Sequence, residues 1–158
     1  MKKFVSLIVL LAALTSCEED VKFNNPAVQG MKDDELWRST EFEAVIADDE
    51  LTITATNGFE TVVLMTEATE PGEYVLGEDD INVATYDFDI DGISDFFTTG
   101  TEVGNGIIEI TEENTNLESA NQKYISGNFR FNAVNEEGTV VNFKDGVFYK
   151  VPVTIVLP

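Results

Sequence analysis

The chain has 158 residues, the size of one ordinary domain, and 43% of them are apolar, which is material for a real core. It carries 30 acidic residues against 9 basic ones, for a net charge of −21, with no histidine and one cysteine. These counts exclude imidazole-based nucleophile pairs and metal sites, an intrachain disulfide and cysteine-rich zinc. They also exclude nucleic-acid binding, which relies on Lys and Arg to neutralise phosphates.

The N-terminus reads as an address. Lys2 and Lys3 form a basic start, and Phe4 to Leu14 is an apolar run of 11 residues. That is too short to cross a bilayer, which takes ~20 residues, and it has the length of an export signal. The run ends in Leu14, Thr15, Ser16 and Cys17, which resembles the lipobox of bacterial lipoproteins. The resemblance implies that residues 1–16 are a signal peptide and that Cys17 is lipidated, giving the chain a membrane partner through its lipid. Glu18, Glu19 and Asp20 follow, similar to the acidic surface-export signal of Bacteroidota lipoproteins. The expected location is the outer membrane facing outward, with a periplasm-facing position as the alternative.

Residues 17–35 are polar and acidic and read as the lipidated cysteine and a tether, with a short strand near Ala27–Gln29 as a further option. Residues 36–158 read as a single β domain. Leu51, Ile53 and Ala55 alternate with Thr52 and Thr54, and Asn57-Gly58 then supplies a hairpin turn in which both residues accept positive φ. Residues 61–66 form the return strand. Gly72 follows Glu70 and Pro71 as a turn into the strand Tyr74–Leu76. A strand over 104–112 turns Ile108 and Ile110 inward. The clearest alternation puts Ile125, Gly127, Phe129, Phe131 and Ala133 on one face and Ser126, Asn128, Arg130 and Asn132 on the other. Turns at Glu136–Gly138 and Asp145-Gly146 divide the remainder into two strands, and Pro152 marks an edge. The fold expected is all-β: an antiparallel sandwich or partly closed barrel of about 8–10 short strands.

Four motifs now stand in order: GEYVL (72–76), GIIEITE (106–112), ISGNFRFNA (125–133) and VNFKDGVF (141–148). Together they resemble a family of uncharacterised Bacteroidota lipoprotein domains, a domain of unknown function. The likeness spans about residues 27–151. It implies location and fold, and it brings no catalytic residues.

One motif carries pointed chemistry. DFDIDGISD (87–95) matches the first nine positions of a calcium loop. Asp87, Asp89 and Asp91 would offer carboxylates, Gly92 the turn, Ile93 its carbonyl, and Asp95 a direct or water-mediated contact. The twelfth position is Thr98 where a bidentate Glu belongs, and no flanking helices appear. The alternative is a hairpin turning at Asp91-Gly92, with Tyr86, Phe88 and Ile90 inward. Trp37, Phe97 and Tyr149 are the aromatics singled out for stacking on a ligand, against the alternative of core packing.

The function expected is a non-catalytic, lipid-anchored binding or accessory module of the envelope, with a glycan or an envelope protein as ligand. It would act by stacking or by strand addition at an edge. One alternative is a structural protein that partners another membrane protein. The other is a carboxylate-based hydrolase, which needs two acids ~5–9 Å apart.

Overall fold

The computed structural model describes residues 27–116 and 122–156; the expected signal peptide, Cys17 and the acidic residues behind it lie outside them. Eleven strands follow one another: β1 (Val28–Lys32), β2 (Glu35–Arg38), β3 (Glu41–Ala47), β4 (Glu50–Thr56), β5 (Glu60–Thr66), β6 (Gly72–Leu76), β7 (Val83–Ile90), β8 (Ile93–Thr98), β9 (Asn105–Asn114), β10 (Tyr124–Val134) and β11 (Val140–Val156). The described residues contain no helix, and the fold is all-β as the alternation indicated.

Seven strands close a ring in the order β11-β3-β4-β5-β7-β8-β10, because β10 also pairs with β11. β1 and β2 continue outward from β11, and β9 and β6 from β10. The result is two layers sharing their edges, β2-β1-β11-β10-β9-β6 facing β3-β4-β5-β7-β8. β11 pairs with β3 in parallel, and the other pairings are antiparallel. The closure is thin where β8 meets β10, through the pair Val134↔Thr98.

Alternation decides what faces the space between the layers. Leu51, Ile53, Val62, Leu64, Ile125, Phe129, Phe131, Phe148 and Val151 are all buried there. Phe143 sits among aromatic rings from both layers, 4.8 Å from Phe131, 5.5 Å from Tyr86 and 5.9 Å from Trp37 between centroids. Each large apolar side chain buried this way contributes about 1.5–3 kcal/mol before entropy is charged against it.

Several expectations are corrected. The domain begins well before residue 36, because β1 lies inside the expected tether and pairs with β11, Val28 opposite Phe148. Asp33-Asp34 is a turn between β1 and β2 rather than solvated charge: φ is 47° and 68°, the left-handed values a two-residue hairpin needs. Asp48-Asp49 does the same between β3 and β4, with φ 54° and 69°. Asn57-Gly58 turns the chain differently from the expected pair of left-handed residues. Gly58 alone of the two has positive φ, while the Asn57 side-chain oxygen accepts from the Glu60 amide at 3.0 Å.

Asp145-Gly146 is a bulge, not a turn, so β11 runs unbroken. Phe129 opposes Gly146 and Phe131 opposes Phe143, which leaves one extra residue on β11. Pro152 lies on a local edge of a strand that is otherwise central. It occupies the gap where β11 has left β1 and has not yet reached β3 at Val153, so its missing donor costs no ladder bond on that side.

Candidate functional site

The outer face of the layer β2-β1-β11-β10-β9-β6 carries a shallow groove of about 450 Å³ over β6, β9, β10 and β11. Register builds it. Glu73 opposes Glu109, Glu109 opposes Asn128, and Asn128 opposes Val147, so these four form one row across four strands. Val75, Ile107 and Arg130 form the next row. Ile107 and Val147 give an apolar floor, and Glu73, Glu109, Asp145 and Arg130 supply the charges around it. Asn128 Nδ2 donates to Glu109 Oε2 at 3.1 Å, which fixes both side chains along the row.

The bulge in β11 completes the groove. Asp145 takes φ 51°, a left-handed value that Asp tolerates better than most residues, and this brings it to the groove wall. Gly146 is required by space as well, since a Cβ there would lie 2.5 Å from the Phe129 ring. A second register slip, between Ile125 and Gly127, puts Lys150 at φ 48°, and its amide donates to Ser126 Oγ at 3.0 Å. Lys150 Nζ then lies over the Tyr124 and Tyr149 rings, 5.1 and 5.6 Å from their centroids.

The hairpin divides the calcium-loop residues between its two faces, although Asp87, Asp89 and Asp95 line one open pocket with Glu136 and Glu137. Asp91 (φ 54°) and Gly92 (φ 80°) form its two-residue turn. Asp87 pairs with Phe96 and Asp89 with Ser94 on the outer face, whereas Asp95 pairs with Phe88 on the opposite face. Asp95 Oδ2 accepts from Asn135 Nδ2 at 2.7 Å, and Ile93 is exposed in the strand with Ile90 opposite it. The motif needs one loop that turns all its oxygens inward, and pleating sends alternate residues to opposite sides. Among the described residues no group of three or more acidic side chains is placed to hold a metal ion. Burial pushes the Asp87 carboxyl above the usual carboxylate range.

Of the aromatics, Trp37 is 3% exposed and Phe97 6%, so neither offers a stacking surface. Trp37 packs edge-on against Phe143, and Phe97 lies 5.8 Å from Tyr86. The exposed member of the Phe96–Phe97 pair is Phe96, since Phe97 takes the inward position opposite Tyr86. Tyr149 is 38% exposed, beside Lys150, and does not line the groove. Cys17 lies outside the described residues.

Lys32 and Glu60 form a half-buried cluster with Tyr86 and Asn57 between the layers. Glu60 Oε1 accepts from Lys32 Nζ and, at 2.5 Å, from Tyr86 Oη; its Oε2 accepts from Asn57 Nδ2 at 2.5 Å. Burial opposes the Glu60 charge most strongly, but the bonds from Lys32, Tyr86 and Asn57 together outweigh it and hold the carboxyl below its usual range. Burial and the Glu60 carboxylate push the Tyr86 hydroxyl far up. The cluster pairs a carboxylate with a cation, which is an arrangement for joining two layers.

Alternation within β10 puts Asn128 and Arg130 on the water face and says nothing of their neighbours. Their meeting with Glu73, Glu109 and Asp145 depends on strand order, which alternation within single strands does not carry.

A family model described as Domain of unknown function (DUF6252) matches residues 24–152. No curated protein and no solved structure matches the chain.

Proposed function

From the premise that the chain belongs to the DUF6252 family of domains of unknown function, we propose that it is a non-catalytic binding module of the cell envelope. It is anchored by a lipid on Cys17 and binds through the outer face of the layer that contains β6, β9, β10 and β11. The observation that carries this reading is the groove itself, with an aliphatic floor of Ile107 and Val147 and a rim of oriented polar groups. The lipobox-like ending at Cys17, and the likeness to Bacteroidota lipoproteins, support anchoring at the outer membrane. The acidic run Glu18–Asp20 supports an outward-facing position. Three carboxylates around one guanidinium favour ligand groups that donate, such as glycan hydroxyls or the basic side chains of an envelope protein.

The test compares the chain with its Ile107→Glu variant, incubated with envelope glycans and envelope proteins separated beforehand. Ile107 faces outward, so the variant should keep its melting temperature while losing at least tenfold in retention of one fraction. Retention that ignores the substitution would overturn the groove as the binding surface. Labelling cells with radioactive palmitate tests the anchor: the label should appear in the chain and vanish in Cys17→Ser.

A further inference from the structure

The order of the strands leaves two at the ends, β2 and β6. β3 is covered by β11, and β8 touches β10. β2 has four residues and follows directly from a tight turn. β6 is different. It pairs with β9 over five residues without a register slip, and among the described residues no backbone hydrogen bond reaches 72–76 from any other segment. Natural edges are blunted by a bulge, an internal proline or lysines. β6 has none of these, since Pro71 precedes it and its side chains are those of Gly72, Glu73, Tyr74, Val75 and Leu76.

Charge says what the edge fits. Glu73 stands directly opposite Glu109, a like-charge cross-strand pair that destabilises the edge as it stands. Glu70 precedes the strand, and Glu78, Asp79 and Asp80 follow it. A cation set beside Glu73 would relieve the repulsion and extend the row Glu73–Glu109–Asn128–Val147 by one strand. A second copy of this chain brings the opposite: another net charge of −21 and another Glu73.

We propose that β6 accepts an extended, basic segment of a partner protein, which adds beside it as a further strand of this layer. The incoming backbone pairs with the free N–H and C=O groups of β6. Its outward Lys or Arg side chains meet Glu73 and the groove beyond it, and its apolar side chains continue the inner face marked by Tyr74 and Leu76. This inference rests on the reading of the same face as a binding surface, and it names the partner as a polypeptide.

The probe is a synthetic peptide, acetyl-Thr-Lys-Val-Thr-Val-Lys-Thr-amide, added to the full chain while amide shifts and hydrogen exchange are followed residue by residue. Two control peptides carry Glu in place of Lys, or N-methyl groups along the whole backbone. The lysine peptide should bind at least tenfold more tightly than either control and slow exchange at residues 72–76. Glu73→Lys, at an exposed position, should reverse the preference between the lysine and glutamate peptides. Equal binding by the N-methylated peptide would leave only charge attraction and overturn strand addition. So would perturbation confined to β2, or an absence of binding, or a dimer of the chain that Glu73→Lys abolishes. If the perturbed amides are those of Ile107, Asn128, Arg130 and Val147 while 72–76 stay unchanged, β6 is refuted and the groove survives. Perturbed amides at 72–76 with Ile107, Asn128, Arg130 and Val147 unchanged support β6 and refute the groove floor as a contact surface.

Discussion

Lys32 of β1 and Glu60 of β5 form an ion pair that crosses from one layer of the fold to the other. Tyr86 of β7 bonds to both partners, donating to Glu60 at 2.5 Å and accepting from Lys32 at 2.9 Å. A residue from the stretch that reads as tether thus holds the layers together.

Removing one partner should leave the other half-buried and uncompensated. Glu60→Gln is expected to cost about 1.5–3 kcal/mol at neutral pH. That is a fall of roughly 4–10 °C in melting temperature for a chain of this size. The pH dependence has a definite sign. Because the folded Glu60 pKa is depressed, its contribution is complete above the unfolded value of about 4.3 and is lost as pH falls through the lower folded value. The gap between wild type and Glu60→Gln should therefore narrow below about pH 4. A gap that stays constant down to pH 2 would contradict this assignment.

Gly127 should be intolerant of even one methyl group. It opposes Phe148, and a Cβ on it would fall onto the Glu109 carbonyl oxygen and the Phe148 ring, one of them backbone that cannot swing away. Gly127→Ala is expected to cost about 3 kcal/mol. Gly58→Ala meets open space and pays only for its left-handed backbone, about 1–2 kcal/mol. Denaturant melts of the two variants check the order, and equal midpoints would show that the strands part to admit the methyl.

Trp37 is a core residue whose indole N–H has no hydrogen-bond partner. Trp37→Ala should cost about 3–5 kcal/mol. Trp37→Phe should cost far less, since it gives up no bond and removes an unsatisfied buried donor. The same pair of variants separates core from ligand surface. Trp37→Phe should leave peptide affinity unchanged, and a tenfold loss without a change in melting would restore the stacking role.

Millimolar calcium and a chelator should give the same melting temperature, with magnesium as the control for general screening of a chain at −21. The β7–β8 pleat places Asp95 on the face opposite Asp87 and Asp89. A calcium-specific rise that disappears in Asp87→Asn and Asp89→Asn would show that the hairpin opens to form a site.

Period-two patterning made several strands legible, since the inward residues of β4 and β9 are those that alternation marks, and β10 departs only at Ser126, expected on the water face and buried against the register slip opposite it. Two kinds of feature escaped it. Asp33-Asp34 and Asp48-Asp49 look like surface charge in so acidic a chain, yet they act as turns because a short polar side chain tolerates positive φ. Asp145-Gly146 has the letters of a turn, and which of turn or bulge forms depends on β10 and β1 continuing on both sides of β11. The groove belongs with this second kind. Glu73 and Arg130 lie 57 positions apart, and only the order β6-β9-β10 brings them to one face.

β11 is shared by both layers, paired with β10 and β1 along its first part and with β3 along its last. Until it is in place, β1, β3 and β10 each have a bare side, and neither layer can finish independently. Assembly is therefore a single late event that joins strands distant in sequence, the class of topology that folds in milliseconds to seconds rather than microseconds. The chain therefore stays extended and threadable until its last long strand is in place.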